Sequence, residues 1–292
     1  MILWLASYPK SGNTWVRTII GQLFHKNLEN TEVFEKSKNI RLYPSRIDFM
    51  DLDEDFKLKK FPQEKKKIIF DKTAINWIKS QSILNLTKDI KILKTHNMLC
   101  KLNIKNKATS FTDLDNSVGV IHIVRDPRNV ITSLINHFSF KNEKQALRFL
   151  KNENQTLGID QNSIPQLLSS WNNHYNSWKR FPKNNFLIKY EELILNPKKQ
   201  ISNLIDYLKN FFPITISHDE IDKILEYSSF ENLKKLEDQG LFDEKAFNIT
   251  TGRYKKFFYL GPKNDWKNRL KYETLKDIQE SFHDEMVELD YL

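Results

Sequence analysis

Apolar and polar positions along this chain alternate between two patterns. Short apolar runs at Ile2–Ser7, Lys67–Phe70, Ile90–Lys94, Val118–Val124 and Asn185–Lys189 predict strands. The first, fourth and fifth are near-continuous, as strands covered on both faces are. Helical stripes lie between the runs. Val16, Ile19, Ile20, Leu23 and Phe24 repeat with a helical period after the first run, and Leu167, Leu168, Trp171, Tyr175 and Trp178 do so later. Segments 196–211, 217–228 and 272–288 also read as helices. Strands alternating with helices predict an α/β three-layer sandwich, a central parallel sheet flanked by helices. No Gly/Ser or Pro linker marks a boundary and the chain has only 7 glycines, so residues 1–292 read as one domain. The polar, irregular segments 30–65, 97–116, 139–163 and 234–256 read as lids over a site at the strand ends, where such folds bind ligands.

Composition narrows the class of ligand. A formal net charge of +9 over 292 residues points to an anionic partner. The basic residues are spread rather than clustered, which weakens a nucleic-acid reading and favours a small polyanion held at a few basic sites. Cys100 is the single cysteine, so an intramolecular disulfide and a cysteine-based metal cluster are both excluded. The apolar stretch Ile2–Ala6 is too short for a signal peptide or a span, and no other stretch has the length of a spanning helix. The expectation is a cytoplasmic protein in a reducing compartment.

Two stretches carry the chemistry. In the turn Tyr8-Pro9-Lys10-Ser11-Gly12-Asn13-Thr14, an apolar strand meets the start of a helix whose first backbone N–H groups lack partners. Gly12 permits close backbone approach to an anion, Lys10 adds a full charge, and Ser11 and Thr14 add hydroxyls. The pattern is not a Walker A loop, and a plain strand-to-helix turn reads this stretch equally well. In the second stretch, residues 121–138, a strand ends at Arg125, and Asp126-Pro127 reads as a helix N-cap and first helical position. Arg125, Asn129 and Ser133 are spaced four apart, on one helical face, and suit a second phosphate. The alternative is an Arg paired with a local carboxylate and a small packing serine. Together the two stretches suggest a ligand with two phosphate groups.

These residues resemble the cytosolic sulfotransferase family, which binds 3′-phosphoadenosine 5′-phosphosulfate (PAPS). That family's 5′-phosphosulfate loop reads Tyr-Pro-Lys-Ser-Gly-x-x-Trp, matched by Tyr8 to Trp15. Its 3′-phosphate element, an Arg with a Ser eight residues later, is matched by Arg125 and Ser133, and its Lys-Thr-His by Lys94, Thr95 and His96. The resemblance spans essentially the whole chain. It implies a P-loop-like fold, with Lys10, Ser11, Gly12, Asn13, Thr14, Trp15, Arg125, Ser133, Tyr190, Ser228, Phe230 and Gly261 binding the nucleotide. Trp15 would stack on the adenine, with Tyr190, Ser228 and Phe230 nearby; for each aromatic, ordinary core packing is the alternative. The family's C-terminal Arg-Lys-Gly-x-x-Gly-Asp-Trp-Lys is matched in part. Gly261, Asp265, Trp266 and Lys267 are in place, but Tyr259 and Leu260 replace the Arg-Lys pair that grips the 3′-phosphate. Arg253, Lys255, Lys256 and Lys263 lie close in sequence as substitutes. The family's Lys-x-x-x-Thr-Val-x-x-x-Glu dimer motif is not seen, so a homo-oligomer formed that way is unsupported.

The resemblance implies sulfuryl transfer from PAPS to a hydroxyl or amine of a small-molecule acceptor, leaving 3′,5′-bisphosphoadenosine (PAP). Such a reaction needs in-line attack and stabilised charge on the leaving oxygen. His96 is the candidate general base, with Lys10 and Lys94 steadying the bridging oxygen and sulfonate, and no metal is required. Among the other histidines, His122 in its apolar strand reads as a satisfied core residue. His137 reads as packing at a helix end and His174 as structural, while His25, His218 and His283 have no chemical context. Two rivals stand against this reading. A P-loop-type nucleotide kinase would use "IIFD" at 68–71 as a strand ending in a magnesium-binding Asp. A catalytically silent PAP(S)-binding module would explain the altered C-terminal motif, but retention of His96 and both lysines argues against it.

Overall fold

The computed structural model describes residues 1–25, 29–52, 63–158, 164–244, 247–248 and 253–292. Its strands are β1 (Ile2–Ser7), β2 (Lys91–Thr95), β3 (Lys101–Ile104), β4 (Lys107–Ser110), β5 (Ser117–Val124), β6 (Thr156–Leu157), β7 (Gln166–Leu167), β8 (Asn185–Lys189), β9 (Phe247–Asn248) and β10 (Arg253–Tyr254). The first seven helices are α1 (Asn13–Leu23), α2 (Val33–Ser37), α3 (Gln63–Ile75), α4 (Trp77–Leu84), α5 (Pro127–Phe138), α6 (Glu143–Lys151) and α7 (Trp171–Lys179). The rest are α8 (Tyr190–Leu195), α9 (Pro197–Leu208), α10 (His218–Tyr227), α11 (Phe230–Asp238), α12 (Tyr272–Ser281) and α13 (His283–Glu288).

Four strands form one sheet in the order β2-β1-β5-β8, and β1 runs parallel to both neighbours. All six residues of β1 are buried, which explains why its sequence shows no polar alternation. The expected α/β class holds, and β1 and β8 have the bounds read from sequence. Lys67–Phe70 does not form a strand. These residues lie in α3, where Ile69 is buried while neighbouring Ile68 is 51% exposed, a helical rather than a two-sided pattern. Lys67 pairs with Asp71 one helical turn on, at 2.8 Å. The run is apolar enough for a strand, but its Gln-Glu-Lys-Lys-Lys lead-in favours a helix. Nor does the stripe from Leu167 form one helix: Leu167 belongs to β7, and α7 begins at Trp171.

The chain divides into two compact units, Met1–Tyr8 with Ile40–Ile123 and Lys151–Leu187, and Pro9–Asn39 with Val124–Leu150 and Ile188–Leu292. The first unit's core surrounds Trp4, whose ring centre lies 5.4 Å from Tyr43, 5.1 Å from Phe111 and 6.2 Å from Trp178. The Trp4 indole N–H donates to Ser117 Oγ at 2.7 Å, so this large side chain is buried with its polar atom satisfied. Burying each such ring contributes about 1.5–3 kcal/mol. In the second unit Val33, Phe34, Leu233, Leu236, Phe242 and Phe258 form a core, with Trp15, Phe230 and Phe257 packed against it.

The stretches expected to be irregular hold regular pieces. Segment 97–116 contains the β3–β4 hairpin, 139–163 contains α6 and β6, 30–65 contains α2, and 234–256 contains the end of α11 with β9 and β10. Phe111 and Phe242, which lie within two of these segments, are core residues. The parts at 53–62, 159–163, 245–246 and 249–252 lie outside the described residues.

Candidate active site

In the second unit, the turn after β1 is built around an unsatisfied helix end. Gly12 caps α1 with φ 107°, makes no side-chain cap, and no acidic residue occupies the first turn of the helix. The positive end of the α1 dipole therefore has no acidic side chain of its own first turn to offset it. Gly12 is required for two reasons: its φ suits glycine, and a Cβ there would lie 2.6 Å from the Tyr190 ring. Lys10 also adopts a left-handed conformation, φ 69°, uncommon for a residue with a side chain.

Tyr190 forms the floor of this turn. Its ring lies 5.6 Å from that of Trp15 and under the Arg125 guanidinium, at 4.1 Å. Arg125 donates to the Lys10 carbonyl oxygen at 3.0 Å, tying the two predicted phosphate seats together. The Lys10 ammonium lies 3.9 Å from the centre of the Phe257 ring. Burial, reinforced by the Arg125 charge and opposed by Glu237 and Glu244, lowers its pKa to about 7. Among the described residues, Ser11 Oγ, Trp15 Nε1 and Arg125 Nε are buried without a hydrogen-bond partner. Buried polar atoms are normally paired, and three orphans around an uncapped helix end beside two cations fit a bound anion.

Asp126 caps α5 by accepting from the Arg128 backbone N–H at 2.9 Å, and Pro127 is the first helical residue, as read from sequence. Ser133 is half-buried on this helix. Asn129 serves a different purpose: its Oδ1 accepts from the Trp266 N–H at 3.0 Å. Asn264 completes the docking of the C-terminal turn on α5, receiving Thr132 Oγ1 at 2.7 Å and donating to the Asn129 carbonyl at 2.9 Å. Gly261, at φ 54°, packs so closely on Phe230 that a Cβ would meet its ring at 2.3 Å. The Ser228 hydroxyl donates to the Ile224 carbonyl at 2.6 Å, which commits its proton to α10. Tyr259 is 54% exposed, and Lys263 lines a cleft with Phe230, Glu231, Lys234, Tyr259 and Leu260. Lys255 Nζ donates to the Asn136 carbonyl at 2.6 Å, one turn beyond Ser133, whereas Lys256 pairs with Asp238 at 2.8 Å. Arg253 is a backbone member of β10.

In the first unit, Lys94 and Thr95 end β2, and the His96 ring is oriented by β1. His96 Nδ1 lies 2.7 Å from the Ser7 carbonyl oxygen, an acceptor only. Nδ1 must therefore carry the hydrogen, which makes Nε2 the ring nitrogen that bears the lone pair. The His96 backbone N–H donates to Gln166 Oε1 at 2.9 Å, and Asn97 fixes the neighbouring chain by receiving the Leu167 N–H at 2.8 Å. His174 hydrogen-bonds the His96 backbone, and burial together with the neighbouring histidines holds its pKa well below the usual value. Its structural role is thus to position His96. The reading of His122 as a satisfied core residue needs correction. It is buried and stacked on Tyr175 at 5.6 Å, but neither ring nitrogen has a partner among the described residues. Burial alone pushes its pKa down to about 3, so the ring stays neutral. His137 packs at the end of α5 as expected, 4.8 Å from Phe138 and 6.1 Å from Phe257. Gln166, Asn264 and Glu237 carried no signal in the sequence, because their partners are distant along the chain.

The kinase reading loses its metal ligand, since Asp71 lies on a helix and is paired with Lys67. Among the described residues no group of three or more His, Cys, Asp or Glu side chains is placed to hold a metal ion.

Residues 2–290 match the sulfotransferase domain family, and the chain belongs to it. Mouse sulfotransferase 2A6 is 29% identical over 72% of this chain and 70% of its own length, and human sulfotransferase 2A1 is 23% identical over 98% and 84%. Cytosolic sulfotransferase 9 of Arabidopsis thaliana is 22% identical over 94% and 75%. The fold is shared with mouse sulfotransferase SULT7A1 solved with PAP, at TM-score 0.55 and 17% identity over 97% of this chain and 83% of that one. It is shared as well with a retinol dehydratase solved with retinol and PAP, at TM-score 0.55 and 19% identity over 98% and 81%.

Proposed function

We propose that this sulfotransferase uses PAPS as donor, its 5′-phosphosulfate seated in the turn Lys10–Trp15 and its 3′-phosphate at Arg125 and Ser133. The observation that carries the reading is the α1 N-terminus without a side-chain cap, ringed by Lys10, Arg125 and the Ser11, Trp15 and Arg125 atoms that have no partner among the described residues. PAP in the related solved structures supports it. The donor supplies an electrophilic sulfur joined to phosphate through one bridging oxygen. His96 Nε2 takes the proton of the acceptor hydroxyl as the new S–O bond forms, and its Nδ1–H on Ser7 keeps the ring in the basic tautomer. As the bridging S–O bond breaks, its electron pair stays on the phosphate oxygen, where the Lys10 ammonium neutralises it. Lys94 steadies the sulfonate. Asn13 and Thr14 supply N–H groups of the first helical turn, Trp15 bounds the adenine, and Tyr190 supports the turn from below. Ser228, Phe230 and Gly261 shape the nucleoside end.

The acceptor is a small hydroxylated or aminated molecule. Residues 1–292 act as one sulfotransferase domain in the cytoplasm, with no nucleic-acid partner. No described helix is long and apolar enough to cross a membrane. Transfer of labelled sulfate from PAPS to a panel of phenols, alcohols, amines and sugars tests the reading. Absence of PAP binding together with absence of transfer would overturn it.

A further inference from the structure

The strap Lys255–Phe258 is fastened at one carboxylate. Glu237, near the end of α11 and 2% exposed, accepts the Phe257 N–H on Oε1 at 2.7 Å and the Phe258 N–H on Oε2 at 3.0 Å. Both oxygens thus hold consecutive amides of one segment. Neighbouring bonds brace the same strap: Lys255 Nζ to the Asn136 carbonyl and Lys256 to Asp238. The consequence lies at Phe257, whose ring covers the Lys10 ammonium at 3.9 Å. Phe258 is anchored separately, in the core with Phe34 and Phe242. A buried carboxylate is costly unless charged or hydrogen-bonded partners compensate it, and here two amides and the nearby positive charge of Lys10 do so.

We propose that Glu237 is a positioning residue of the donor site: it latches the strap so that Phe257 closes over Lys10, excludes water from the phosphosulfate seat and retards nucleotide release. The proposal rests on the reading of that seat as a PAPS site. Its chemistry is specific to a carboxylate, because each oxygen receives its own amide. A glutamine keeps one acceptor and turns an NH2 group toward the second N–H.

The test uses the full-length protein and Glu237→Gln, which retains side-chain length and one strap bond, with Phe257→Leu as a second variant. Hydrogen exchange at the Phe257 and Phe258 amides should accelerate in Glu237→Gln about tenfold, the size of one lost charge-assisted hydrogen bond, while amides early in α11 are unchanged. PAP release, followed by stopped flow, should quicken by a similar factor, and the donor KM should rise more than kcat falls. Phe257→Leu should release PAP faster with strap amides still protected, a result that loss of stability alone would not give. Unchanged exchange and release in Glu237→Gln would overturn the latch. Accelerated exchange with unchanged release would overturn its role at the donor site. Failure of the unaltered protein to bind PAP would instead overturn the PAPS reading, while the exchange result still decides the latch.

Discussion

Lys10 combines a left-handed backbone, partial burial and a neighbouring guanidinium, each unfavourable for a lysine by itself. Such strain persists where the surrounding structure over-determines it, often at functional sites. With a folded-state pKa near 7 against an ordinary 10.5, the unfolded chain holds the extra proton between those values. Stability of the nucleotide-free protein should therefore rise as pH goes from about 7 toward 10, and a melting series checks this. A phosphate in the seat draws the proton back, so PAP affinity should fall over the same window, with proton uptake measurable by calorimetry in buffers of different ionisation enthalpy. At His96, substitution by alanine removes the base but no nucleotide contact. Turnover should drop by about 10²–10⁴-fold while the PAP dissociation constant stays nearly unchanged; retained turnover would refute the assignment.

Helix α5 shows how one element serves several ends of the site. Its cap residue Asp126 and Arg128 form a pair with side chains 6% and 7% exposed, Asp126 Oδ2 lying 2.7 Å from Arg128 Nη2. Arg128 in turn stacks over Trp266 at 4.1 Å and donates to the Tyr291 carbonyl. Asp126→Ala removes the cap and leaves a buried guanidinium short of its partner. The expected cost is about 3 kcal/mol in urea unfolding, with Asp126→Asn, which keeps an acceptor, costing less. The C-terminal turn reaches α5 through Asn264 and Asn129, so Asn264→Ala should loosen it and weaken PAP binding several-fold with little change in stability. That turn lacks the Arg-Lys pair of the family motif at Tyr259-Leu260. The ammonium of Lys255 is held on α5 by the Asn136 carbonyl, one turn beyond Ser133.

For the molecule as a whole, net charge of +9 is explained without a nucleic acid if a few basic groups bind a small polyanion. A ligand carrying both a 5′ and a 3′ phosphate should stabilise the folded protein more than ATP does. At about 100 times its dissociation constant PAP contributes roughly 2.7 kcal/mol. Thermal shifts should thus rank PAP above ATP, without dependence on magnesium, and Arg125→Ala should shrink the PAP shift most. A larger, magnesium-dependent shift with ATP would return the kinase reading.

The sequence by itself determined what is local. Strand β1, the turn Lys10–Thr14 and the α1 stripe are contiguous, so apolar period, glycine and helix start could be read together, and the Asp126-Pro127 cap followed in the same way. Lys94, Thr95 and His96 were legible through a resemblance that the family match upholds. Tertiary structure decided the rest, because the deciding bonds join distant residues. Ser7 and Gln166 orient His96 across separations of 89 and 70 residues, and Asn129 is drawn from the phosphate face to Trp266 across 137. Lys67–Phe70 became helix for a related reason: a short apolar run suits either period, and only packing that buries Ile69 while leaving Ile68 in water selects one. Backbone turns and periods are fixed by neighbours in the chain, whereas the direction a catalytic ring faces is fixed by whichever donor or acceptor the fold brings beside it.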